Sequence, residues 1–187
     1  MPGQTPVNVF FCYAPEDEEL CQELERHLAL LQREGDVRGW SSRRIGAGED
    51  WRAESQRLMD RADVILLLVS ADFLASDHLY DVELGRALAR GRSEVVGVLL
   101  RPCDWKQGAL KDLLVLPVPP GKADPLPVTA WSSTDEALAR VAAWLREKAA
   151  RLGKGAVAHS DRAGSFAIEG RITRNPSEAH PLQAPPG

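Results

Sequence analysis

The chain has 187 residues, 44% of them hydrophobic, enough for one domain of ordinary size with a packed core. Its formal net charge of −4 comes with no basic stripe, so the electrostatic footprint of a nucleic-acid binder is missing. Three cysteines (Cys12, Cys21, Cys103) stand at spacings that fit no metal site. The apolar runs fall far short of the ~20 residues of a membrane span, and Met1-Pro-Gly-Gln-Thr opens no signal pattern. A reducing, soluble compartment, the cytoplasm, is expected, with Cys12 and Cys21 as buried thiols.

Val7-Asn-Val-Phe-Phe-Cys-Tyr13 reads as a first strand closed by Ala14-Pro15. Glu16 to Arg33 reads as a helix. Leu20, Leu24, Leu28 and Leu31 recur at helical spacing, acids crowd the first turn, and Gly35 stops it. Asp36 to Trp40 forms a short second strand. Ser41 to Trp51 is polar and glycine-bearing, too irregular for an element, and a helix of about Trp51 to Arg61 follows.

Val64-Ile-Leu-Leu-Leu-Val69 is apolar at every position, which suits a central parallel strand covered on both faces. After a short loop, Ser76 or Asp77 is placed to cap a helix whose buried stripe is Leu79, Val82, Ala87 and Leu88. Glu83 follows Val82 by one position, so at about 100° per residue it projects near the edge of that stripe. One carboxylate thus rides on a helix just past the carboxyl end of a buried strand, the end where open α/β sheets bind ligands. Gly91 ends the helix.

Glu94 to Leu100 reads as a fourth strand, stopped by Arg101-Pro102. Cys103 to Leu116 is a longer connection with one helical turn near Gly108–Leu114, and Pro117–Pro127 is loop. Pro127 to Trp131 is the expected fifth strand. Ser133 caps a last helix running to about Leu152, with Glu136 completing a capping box. Such alternation gives an α/β doubly wound parallel sheet. Residues 153–187 have few apolar positions, scattered Pro and Gly and no period, the composition of a disordered or linker tail.

Several stretches together resemble the Toll/interleukin-receptor (TIR) domains, of the bacterial variety. Val9-Phe-Phe-Cys-Tyr13 before an acidic helix start is similar to their first box. Trp40…Arg43-Arg44-Ile45-Gly-Ala-Gly48-Glu-Asp-Trp51 is similar to the loop after their second strand. Ser70-Ala-Asp-Phe-Leu-Ala-Ser76…Tyr80-Asp-Val-Glu83-Leu is similar to the third box with its glutamate. Arg101-Pro-Cys-Asp-Trp105, Leu116-Pro117 and Trp131 continue the likeness. The order and spacing are specific where each motif alone is weak, and the domain they mark spans residues 6–152.

The resemblance implies a flavodoxin-like five-stranded sheet of order 2-1-3-4-5. It also implies one of two activities. In the first, the domain cleaves NAD+ between nicotinamide and ribose when self-association through TIR–TIR contacts switches it on. Here NAD+ is substrate and no cofactor or metal is called for. Glu83 is then the catalytic carboxylate, steadying the oxocarbenium-like centre. Tyr13, Arg44, Ile45, Gly46, Trp51, Ser76, Leu79 and Tyr80 are the substrate-binding candidates. Arg44 suits a phosphate and Gly46 a close backbone approach.

In the second activity the domain is a signalling adaptor that only binds its own kind, and Glu83 is a solvated acid on a helix face. A third reading binds a nucleotide without cleaving it. Two departures bear on the choice. Leu79 stands where enzymatic members often carry tryptophan, and Ser41-Ser42 stands where many carry aspartate. A role in immune or stress signalling, with a separate sensor or receptor protein as partner and neither nucleic acid nor membrane bound directly, completes the expectation. His27, His78, His159 and His180 show no metal spacing, and His78 reads as a surface residue at the helix start.

Overall fold

The computed structural model describes residues 5–41, 51–89, 91 and 93–164. Five parallel strands form one sheet of order β2-β1-β3-β4-β5, the order expected. They are β1 (Val7–Cys12), β2 (Val37–Ser41), β3 (Val64–Val69), β4 (Glu94–Leu99) and β5 (Leu114–Leu116). β3 is buried at all six positions because helices cover both faces of the sheet at its centre.

Alternation along the strands sends side chains to two cores. Val9, Phe11, Leu66, Leu68, Val96 and Val98 pack with helices α1 (Glu18–His27), α2 (Ala29–Glu34) and α6 (Thr134–Gly164). Phe10, Cys12, Ile65, Leu67 and Val69 face the opposite way. There they pack with α3 (Trp51–Arg61), α4 (Ala71–Ala75) and the segment leading into α5 (Gly85–Ala89).

The expected helix over Glu16–Arg33 is divided into a 3-10 turn (Pro15–Asp17), α1 and α2. Hydrogen bonding nevertheless runs through the join: Leu28 N donates to Leu24 O (3.1 Å) and Gln32 N to Leu28 O (3.0 Å). Gly35 stops α2 as expected. Its φ of 78° is the left-handed cap conformation, and Asp36 N reaches back to Leu31 O at 3.0 Å.

Three expectations are corrected. The fifth strand is Leu114–Leu116, not Pro127–Trp131, where a 3-10 turn, Val128–Ala130, is found instead. Three residues on a sheet edge are too few to show a period. The loop expected after β3 holds α4, capped by Ser70, whose Oγ accepts from Phe73 N at 3.1 Å. The last helix runs to Gly164, past the expected end near Leu152. Ser133 Oγ accepts from Glu136 N at 3.3 Å at its start. Among the described residues no helix is long and apolar enough to cross a membrane.

Candidate functional site

The Glu83 helix is not a regular α-helix. His78–Leu84 is a π-helical segment running into α5, with Ser76 Oγ accepting from Leu79 N at 3.4 Å at its entry. A π-turn closes its hydrogen bonds five residues back instead of four, so positions four and five apart fall on one face. Leu79, Glu83 and Leu84 are therefore the buried set. Val82 and Leu88, expected in the stripe, are 47% and 38% exposed, and Glu83, expected at its edge, is only 5% exposed. The extra residue per turn rotates the carboxylate inward.

Side chains from two other elements and one from its own segment meet that carboxylate. Cys12, the last residue of β1, donates its thiol to Glu83 Oε2 at 2.7 Å. Ser55 on α3 donates to Oε1 at 3.4 Å, and His78 Nε2 lies 3.5 Å from Oε1. Burial, then the charge and hydrogen bond of Glu83, push the Cys12 thiol well above its usual 9.0, so it stays protonated. Cys12 pairs in register with Leu67 of β3. That boundary between β1 and β3 is where the strand order of a 2-1-3-4-5 sheet reverses and where open sheets of this kind bind ligands.

Ser55, Gln56, Met59, His78, Val82, Glu83 and Arg86 line the cleft at this carboxylate. It is nearly closed, with ≈ 10 Å³ of room, about that of one water. Arg86 is turned to Asp60 at 2.9 Å. A larger groove between α1 and α6, lined by Glu23, Arg26, His27, Thr134 and Asp135, is open and holds no buried polar group, so its chemistry is that of ordinary surface. Among the described residues no cluster of His, Cys, Asp or Glu suits a metal ion.

Of the expected binding residues, Ser76 stands at the entry to the Glu83 segment and Leu79 lies on it, packing into the apolar core beneath. Tyr80 accepts from Ala109 N at 3.3 Å, so its hydroxyl is engaged with the connection between β4 and β5. Tyr13 belongs to the opposite core. It donates to Glu18 Oε2 at 2.8 Å, and burial with that bond raises its pKa. Arg44, Ile45 and Gly46 lie outside the described residues, and Trp51 opens α3.

Sequence reasoning missed the partners of the glutamate. The sequence marks Cys12 only as a buried thiol and gives no sign of Ser55, and His78, a partly exposed residue at the helix start as expected, also stands against Glu83. The available signal was the position of Cys12 at the carboxyl end of the strand bordering the switch point.

A second buried carboxylate lies farther along the same sheet edge. Asp17 accepts from Ser70 Oγ and pairs with Arg101 Nε at 3.0 Å. Burial raises its pKa above the usual 3.8, against the pull of Ser70 and Arg101. It ties the loops after β1, β3 and β4 together and is solved as buried acids usually are, with a cation.

The family profile of the TIR domain matches residues 9–142. The uncharacterized protein y4lF of Sinorhizobium fredii is 42% identical over 163 residues, which cover 86% of this chain and 49% of that protein. The chain thus spans about half the length of this relative. The crystal structure of the TIR domain of the Toll-related receptor TRR-2 from Hydra magnipapillata is 23% identical, with a TM-score of 0.46 over 58% of this chain and 83% of that one. With its central 134 residues matched by the profile and its strands in the expected order, the chain belongs to the TIR domain family.

Proposed function

We propose that this domain is an NAD+ glycohydrolase that cleaves the nicotinamide–ribose bond, with Glu83 as its catalytic carboxylate. The supporting observation is the placement of Glu83: a buried acid at the β1/β3 boundary, held by a thiol and a hydroxyl and opening on a cleft. In the reaction the C1′–N bond breaks and its electron pair passes to the pyridinium nitrogen, so nicotinamide leaves neutral without a general acid. Positive charge builds on the ribose, and a fixed carboxylate in a low-dielectric site stabilises it. Water adds at C1′ and releases one proton, giving ADP-ribose. NAD+ is the substrate, and neither cofactor nor metal is required.

The resting cleft has no room for a dinucleotide, which fits a site that opens when copies of the domain assemble through TIR–TIR contacts. In this reading the domain acts in the cytoplasm, in immune or antiviral signalling, under a separate sensor or receptor protein. Nicotinamide release by the full chain at high concentration with a crowding agent tests it. Glu83→Ala should lose at least about 100-fold of that release with the fold intact. Undiminished release by this variant would remove Glu83 from catalysis.

One observation favours the adaptor reading. Leu79, where a ring would stack on nicotinamide, is an apolar core residue, 7% exposed. Absence of release despite self-association demonstrated by sedimentation would select that reading.

A further inference from the structure

Buried carboxylates in folded proteins are ordinarily paired with a cation, because an isolated charge in the interior is very costly. Asp17 follows this pattern, with Arg101 Nε at 3.0 Å. Among the described residues Glu83 has no Arg or Lys against it, and its two closest donors are the Cys12 thiol on Oε2 and the Ser55 hydroxyl on Oε1, both neutral. The guanidinium that shares its cleft, Arg86, is paired with Asp60. His78 stands at 3.5 Å and carries charge only when protonated.

We propose that Cys12 and Ser55 are positioning residues that hold the two oxygens of Glu83 with neutral donors, fixing the carboxylate in place without cancelling its charge. The two come from separate elements, a central strand and α3, and both are buried, Cys12 at 0% and Ser55 at 2% exposure. Each restricts one oxygen, so the carboxylate cannot swing out of its plane or turn toward solvent. A guanidinium in their place would hold the group as firmly but would neutralise it. Neutral donors leave a fixed negative charge facing the cleft, suited to a ligand centre that becomes positive as it reacts. The proposal rests on the glycohydrolase reading for that use of the charge. Its geometric part stands apart from it.

The test uses the full chain and the variants Cys12→Ala, Cys12→Ser, Ser55→Ala and Glu83→Gln, with two readouts. In the first, nicotinamide release is resolved into kcat and KM. Cys12→Ala should lower kcat about 10-fold or more, the scale of one hydrogen bond to a charged group, with KM little changed. Cys12→Ser, which keeps a neutral donor, should stay within about threefold of the wild type. Ser55→Ala should lower kcat more mildly, in line with its longer contact. The second readout is the S–H stretching band in the infrared, independent of turnover. Cys12→Ser identifies the Cys12 component by removing it, and Glu83→Gln should shift it toward the frequency of a weaker hydrogen bond. A Cys12→Ala enzyme with wild-type kcat, or a Cys12 band indifferent to Glu83→Gln, would overturn the proposal. If the wild-type chain releases no nicotinamide while the band still shifts, the glycohydrolase reading fails and the positioning of Glu83 is upheld.

Discussion

Leu79 carries the main chemical departure from an aromatic-bearing site, and its surroundings say what restoring the ring would do. Its side chain shares an apolar cluster with Phe10, Ile65, Phe73 and Leu84 and is 7% exposed. The π-turn places it on the same face as Glu83, but that face is turned toward the sheet. Leu79→Trp therefore adds a large ring to a filled core, at a cost of about 1–3 kcal/mol. A lower denaturation midpoint in urea, with no gain in nicotinamide release, is the expected result. A variant as stable as the wild type and faster in release would mean that the ring finds the cleft. Leucine at this position is thus first a packing residue, and stacking on a ligand would have to come from elsewhere in the site.

At the scale of elements, the carboxylate depends on the π-segment, and that segment is braced by the connection between β4 and β5. Tyr80 lays its hydroxyl on Ala109 N beside Gly108, whose φ is +62°. A Cβ at Gly108 would stand 2.2 Å from the Tyr80 hydroxyl. Gly108→Ala should then cost about 1–2 kcal/mol for the left-handed backbone alone, and more for the clash. Combined with Tyr80→Phe, it should cost less than alone, because the hydroxyl is gone. Equal costs in both backgrounds would show that the contact contributes nothing.

The same elements mark how far the sequence could be read. β3 was plain because six successive apolar residues fit a strand buried on both faces, and Gly35 because a glycine after a periodic run is a stop signal. The π-segment is opaque: its residues fit an ordinary helical period, and one extra residue per turn moves Val82 out and Glu83 in. α4 and β5 were opaque because five and three residues carry too little pattern. The pairing of Cys12 with Glu83 joins positions 71 residues apart in sequence, which local patterning does not encode.

For the molecule as a whole, the sheet is closed on one side by α6, the longest helix. Ala137, Leu138, Val141, Leu145 and Ala149 recur along it at helical spacing and are all buried against the core containing Val96 and Val98. Lys148 adds an ion pair to Glu94 at the start of β4. These anchors all precede Gly153, although the helix continues to Gly164. If the anchors hold the helix, stability should be insensitive to the chain beyond them. Each buried aliphatic side chain is worth about 1.5–3 kcal/mol, so five of them are a large share of what fixes the helix to the sheet. Ending the chain after Gly153 should therefore move the thermal midpoint by less than about 4 °C, the shift that roughly 1 kcal/mol produces in a domain of this size. Val141→Ala in the same shortened chain should lower it clearly further, since a buried side chain is cut back there. A large drop on truncation alone would place stabilising contacts beyond Gly153, and the independent unit would then extend past the boundary expected at residue 152.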